Sequence, residues 1–243
     1  MSKLKSLVLP FGVTAFYIIF AIILSLFTSN SLIVTVIDNI TVAILGLVLI
    51  RKFNKMDGRA SVKSITQFVI LLVGALCIIW FTCQITSTVI YNVLGDSSFD
   101  TYQDIANSDI MLYAVISVFI APLTEEVMTR GLWFGFLKQK WCPLAGYIAS
   151  PIVFAILHGT LVHIPTGILF GLFLCLIYDY TGKLFIPVLL HFGFNLFAIV
   201  FSGLVVPGAM LTVPFALILY ILVFAALVAG IMHIHLHRDS SDL

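Results

Sequence analysis

Eight long apolar runs, following one another from Leu7 to Met232, constrain this chain more than any other feature. We read them as spans over Leu7–Phe27, Leu32–Ile50, Phe68–Tyr91, Met111–Leu137, Pro143–His158, Ile164–Tyr180, Leu184–Gly203 and Ala209–Met232. A hydrocarbon layer offers backbone groups no partner, so runs of this length become helices that bond internally. The expected fold is therefore all-α: a polytopic transmembrane bundle of about eight helices, one domain over residues 1–243. The fifth and sixth runs are the short ones, joined by the uncharged Gly159–His163 segment, and are expected to be tilted or partly embedded. Only 9% of residues are charged, against about a quarter in soluble domains. No basic face or binding motif points to nucleic acid.

Basic residues test the segmentation independently. With the N-terminus in the cytoplasm, Lys3, Lys5, Arg51, Lys52, Lys55, Arg59, Lys63, Lys138, Lys140, Lys183 and Arg238 all fall inside, and only Arg130 does not. The Leu94–Asp109 loop, with four aspartates and no basic residue, falls outside. That is the positive-inside pattern, and it predicts two cytoplasmic termini. Lys3 and Lys5 before an apolar run resemble a signal peptide, but Leu7–Phe27 is long enough to span and lacks a small-x-small cleavage site; it reads as a retained helix. The Arg51–Gln67 connector reads as a polar loop, with room for an interfacial helix. Cys77, Cys83, Cys142 and Cys175 form no CxxC pair and are expected to be reduced packing residues.

The chemistry lies in charges at bilayer depth. The two glutamates of the chain, Glu125 and Glu126, are adjacent in the middle of the fourth run, with Arg130 close by. A charge at the centre of a membrane helix costs about 2.5–3.5 kcal/mol on insertion scales, so three in six residues need a purpose. Glu126 and Arg130, four apart, share a face and can pair. Glu125 projects about 100° away, which leaves it without a partner on its own helix and available as a general base. His158 ends the fifth run, and His191 and Asn195 stand one turn apart in the seventh. Two histidines, an asparagine and an unpaired glutamate on three helices would form a polar pocket in an apolar wall.

Three segments carry a resemblance: EEVMTR (Glu125–Arg130), FAILH (Phe154–His158) and HFGFN (His191–Asn195). In this order they resemble the EExxxR, FxxxH and HxxxN motifs of the CPBP family, intramembrane proteases related to the type II CAAX prenyl endopeptidases and also known as the Abi family. The flanks agree: Ala121-Pro122 before the glutamates, Gly131 after Arg130, and TGKLFIPVLLH leading into His191. The resemblance covers roughly residues 116–197, the expected catalytic core. Val127-Met128-Thr129 depart from it, since relatives carry bulkier apolar or aromatic residues there. It implies that Glu125 and His158 activate a water, that His191 and Asn195 stabilise an oxyanion, and that Glu126 with Arg130 supports the site. No cofactor is expected to be required, although Glu125, His158 and His191 have the donor types of a His₂Glu zinc site. The implied partners are membrane lipid and a peptide or protein substrate. The short chain without a eukaryotic retention signal suggests a prokaryotic plasma membrane, and a processor of secreted peptides or a bacteriocin-immunity protein. A non-catalytic immunity scaffold and a proton-coupled transporter using Glu125 and the histidines are the rival classes.

Other polar residues have plainer expectations. His163, on a different face from His158 or in the connector, reads as a loop residue. His233, His235 and His237 read as a solvated interfacial tail. Asp38 and Asn39 line a cavity or bond between helices, and Asp179 pairs with Lys183 one turn on.

Overall fold

The computed structural model describes residues 3–53, 65–94, 110–201 and 212–239, and every element in them is helical. α1 is Lys3–Ser25, α2 Ser31–Phe53 and α3 Ile65–Leu94. α4 is one rod over residues 110–140, in which the α-helical stretches Ile110–Val115, Ala121–Glu126 and Gly135–Lys140 alternate with π-helical Ile116–Ile120 and Val127–Phe134. α5 is Pro143–Leu157, α6 His163–Thr181, α7 Phe185–Val200 and α8 Val213–Asp239. Six of these helices are long and apolar enough to cross a membrane. This is a polytopic helical membrane protein.

The predicted spans coincide with the helices, with one exchange of character. α5 is short, as expected, but the second short helix is α7 rather than α6. α6 is the most buried of the candidate spans, wrapped by α3, α4, α5, α7 and α8. Apolar on all faces, it had no stripe to mark it as central rather than embedded at an edge. Its Gly167 and Gly171 let α5 come close: a Cβ on Gly171 would sit 2.9 Å from Pro151 Cα, and one on Gly167 3.0 Å from Ala155 Cα. Small residues one turn apart are how helices approach in lipid, where apolar burial gives no net drive. α1 and α2 cover the opposite side of α4, with the Trp133 indole N–H donating to Thr14 at 3.0 Å.

Two connectors fall partly outside the described residues: 54–64 of the Arg51–Gln67 loop, and 95–109 of the acidic loop. So do Gly203 and Ala209 at the edges of the last two predicted spans. The basic ends of α2 and α4 meet at one end of the bundle, where Phe53 lies 6.2 Å from Phe136. At that end Asp179 is bound by Lys138 of α4 and by the Tyr147 hydroxyl of α5, at 2.8 Å, and not by Lys183 as expected. A charge 41 residues away in sequence wins because both it and Asp179 are largely shielded from solvent there, whereas Lys183 is exposed. α8 continues as a helix through His233, His235 and His237 to Asp239, past the apolar span that ends at His233.

Candidate active site

The glutamates lie roughly 18 Å along α4 from the Lys138–Asp179 bridge, at about 1.5 Å per residue, which is deep within the bundle. The helix around them is irregular. The Val127 N–H is shared between the carbonyls of Leu123 and Thr124 as the second π stretch begins. Side chains serve other carbonyls here: the Thr129 hydroxyl donates to Glu125 O at 2.5 Å, and the Ser150 hydroxyl donates to Thr129 O at 2.8 Å. π stretches of this kind often occur at functional sites because they re-aim side chains at a cost in backbone regularity.

Arg130 and Glu126 pair as the spacing predicted, at 2.8 Å and with neither side chain exposed. Arg130 also donates to the Thr129 hydroxyl at 2.7 Å and to Gly171 O at 3.2 Å, and its guanidinium covers the Phe154 ring at 4.6 Å. The same Glu126 oxygen that binds Arg130 also bonds His191 Nδ1 at 2.8 Å. A carboxylate beside a guanidinium accepts, so Nδ1 carries the proton and the other nitrogen, Nε2, faces outward from the pair. Glu125 Oε2 lies 3.6 Å from that Nε2, and the Glu125 side chain is 24% exposed. The two acids therefore do not diverge to separate neighbours. They approach opposite nitrogens of one imidazole, with Glu126 fully buried and Glu125 facing the open side. Phe154 and Phe170 hold the ring edgewise at 5.5 and 5.0 Å.

His158 stands on the other side of Phe154, with ring centroids 4.6 Å apart. It ends α5 because Gly159 takes a left-handed backbone, φ 70°, which only glycine adopts at no steric cost. The Phe154 carbonyl accepts from His158 Nδ1 at 2.8 Å, so in the neutral ring Nε2 carries the lone pair. The FxxxH spacing thus does two things: the phenyl spaces the two imidazoles, and its backbone fixes the tautomer of one of them. The turn at Gly159 also brings His163 back. Its ring is 5.9 Å from that of His158, and Thr160 Oγ1 lies 2.5 Å from its Nδ1. His163 is the first residue of α6 and a neighbour of the site, not a loop residue on another face. Asn195 reaches α4, donating from Nδ2 to Ser117 O at 2.8 Å.

Four of the predicted residues, Glu125, Glu126, Arg130 and His191, form one contiguous network. His158 joins it across Phe154, and Asn195 grips the same rod farther along. Val127, Met128 and Thr129 do not shape the pocket. Val127 packs on Gly46 of α2, Met128 on Val13 and Val42, and Thr129 bonds the backbone of α4 and Arg130. Sequence reasoning missed His163, Thr160 and Phe170. The Gly after His158 was the available signal for the first two. Asp38 and Asn39 are buried; the Asn39 carboxamide donates to Thr35 O within α2 at 2.8 Å, and it is the Asn39 backbone carbonyl that Thr124 of α4 bonds, at 2.8 Å. All four cysteines are free thiols, two of them buried. Among the described residues no three His, Cys, Asp or Glu side chains come together as a metal-holding group, and no step is routed through a metal.

Comparison with known proteins gives two matches. Residues 107–197 match the family model described as type II CAAX prenyl endopeptidase Rce1-like. A curated protein of Bacillus subtilis (strain 168), named "Putative membrane peptidase YdiL", is 23% identical over 171 residues, covering 68% of this chain and 70% of that protein. No solved structure matches. The matched segment contains all three motifs and both flanks of the glutamate network. Over residues 107–197, the stretch that carries all three motifs, the chain is similar to type II CAAX prenyl endopeptidase Rce1-like proteins.

Proposed function

We propose that this protein is an intramembrane endopeptidase that hydrolyses a peptide bond of a membrane-associated or secreted peptide. The membrane-protease reading is supported by the family match and by the relative named as a peptidase. The carrying observation is the asymmetric pair around His191, in which Glu126 is locked to Arg130 while Glu125 is partly exposed and 3.6 Å from Nε2.

In this reading Glu125 takes a proton from water as the water oxygen attacks the carbonyl carbon. His158, with its Nε2 lone pair, helps orient that water. The carbonyl π electrons move to oxygen, and a hydrogen-bond donor there is worth about 10²–10³ in rate. His191 is that donor when Nε2 is protonated, and Asn195 lies one turn along the same face. Glu125 then returns its proton to the leaving nitrogen as the C–N bond breaks, giving a carboxylate and an amine. No serine or cysteine stands in a sequence motif suited to nucleophilic attack, so the reading involves no covalent intermediate. Secreted leader peptides and bacteriocin-type peptides are the substrates we favour.

The test is incubation of purified protein with leader peptides and with a prenylated CAAX peptide, read by mass spectrometry. Wild type should cut one class, and Glu125→Ala and His158→Ala should not. Equal product from wild type and both variants would end the assignment, and a biological role that survives Glu125→Ala would favour the scaffold class.

A further inference from the structure

The glutamate-bearing rod has a backbone defect twelve Å or so before its acids, at about 1.5 Å per residue. In the first π stretch each N–H reaches five residues back, and the Ala121 N–H bonds Ile116 O in that register. The next donor in line would be residue 122, reaching Ser117 O. Residue 122 is proline and has no N–H. The Ser117 carbonyl, on a half-buried residue, is thereby denied its helical partner, which forfeits one hydrogen bond. Asn195 of α7 supplies the missing donor, its Nδ2 lying 2.8 Å from Ser117 O. A carbonyl only accepts, so the nitrogen of the carboxamide must face it.

We infer that Asn195 is a positioning residue, a side-chain substitute for the peptide N–H that Pro122 lacks. Its bond keeps α4 in the π register and ties α7 to it. One turn back on α7, His191 meets Glu126. The two contacts together fix the imidazole against both acids. The resemblance implied instead that Asn195 serves the oxyanion directly. The two roles predict different behaviour when Pro122 is replaced, because an alanine there brings its own N–H to Ser117.

The experiment is a double-mutant cycle between Asn195→Leu, which keeps volume and removes the donor, and Pro122→Ala. Thermal melting in detergent is one readout and does not depend on the protease reading. Turnover of a cleaved peptide is the other and rests on it. Asn195→Leu should lower the melting midpoint by roughly 5 °C and kcat at least about tenfold with KM little changed. In the Pro122→Ala background both losses should shrink by more than half. Equal losses in the two backgrounds would overturn the inference, as would an Asn195→Leu protein that melts like wild type. A direct measurement covers the case in which Pro122→Ala does not fold. With serine carbonyl ¹³C labelling, the Ser117 signal, assigned by its disappearance in Ser117→Ala, should move upfield in Asn195→Leu; an unmoved signal overturns the inference.

Discussion

Adjacent glutamates should respond in opposite ways to the same conservative change. Glu126→Gln removes a buried negative charge from between Arg130 and His191, both 2.8 Å from the same oxygen. What remains around the guanidinium is the Thr129 hydroxyl, the Gly171 carbonyl and the Phe154 ring. These are neutral, so a fully buried cation loses its counter-charge. Breaking a buried pair in this way costs about 3–5 kcal/mol. For a chain of this length that lowers the melting midpoint by roughly 6–20 °C. Glu125→Gln removes a side chain that is partly exposed and 3.6 Å from its nearest ionic partner. Screened contacts of that kind are worth about 0–1 kcal/mol, so the midpoint should move by less than about 4 °C while peptide cleavage disappears. The assay uses a thiol-reactive dye in a Cys77→Ala, Cys142→Ala background, so that only the buried Cys83 and Cys175 report unfolding. A Glu126→Gln protein melting within about 2 °C of its parent, or a reversed order of the two variants, would refute the reasoning.

The close α5–α6 contact predicts that Gly171→Ala destabilises by about 1–3 kcal/mol, since its Cβ would press on Pro151 Cα at 2.9 Å and Arg130 Nη2 at 3.4 Å. Gly74→Ala, with nothing within 4 Å, should be neutral or stabilise by up to about 1 kcal/mol in the same melting assay. In folded protein a charged maleimide should label the exposed Cys142 and spare Cys83 and Cys175 until heating, as read by intact mass. Thr160→Val should release His163 from its clamp and lower kcat about fivefold, the worth of one hydrogen bond, with little change in melting; an unchanged kcat would remove the connector from the site.

Local chemistry made part of this architecture legible. Apolar runs gave the helices because lipid leaves the backbone no other choice, and the four-residue interval between Glu126 and Arg130 gave their pair directly. Where partners are distant in sequence, the same reasoning misled. Asp179 had a cation one turn away and used Lys138 instead, a choice settled by where α4 and α6 end. α6 was taken as short and marginal, although its Gly167 and Gly171 mark a close helix contact. The π stretches could not be read at all. Pro122 announces a lost hydrogen bond, but whether the rod bends, breaks or widens depends on which donor arrives from another helix, and that donor sits on α7.

Glu125 and Glu126 stand on the α-helical stretch Ala121–Glu126, between the two π stretches, where neighbouring side chains diverge by about 100°. Here both reach one imidazole, from its two nitrogens, and their surroundings differ. Glu126 is held by a guanidinium and a ring N–H with no solvent near it, so it anchors the network in place. Glu125 has the open side, and it faces a ring whose other nitrogen is already tied down. A proton arriving from water can therefore go to Glu125 without disturbing what holds His191 in place. Exchanging the roles would require the buried acid to shed Arg130 each time it took a proton. The order of the pair along the chain, exposed acid first and anchored acid second, then follows from the Arg four residues after Glu126, because that spacing selects which of the two is buried.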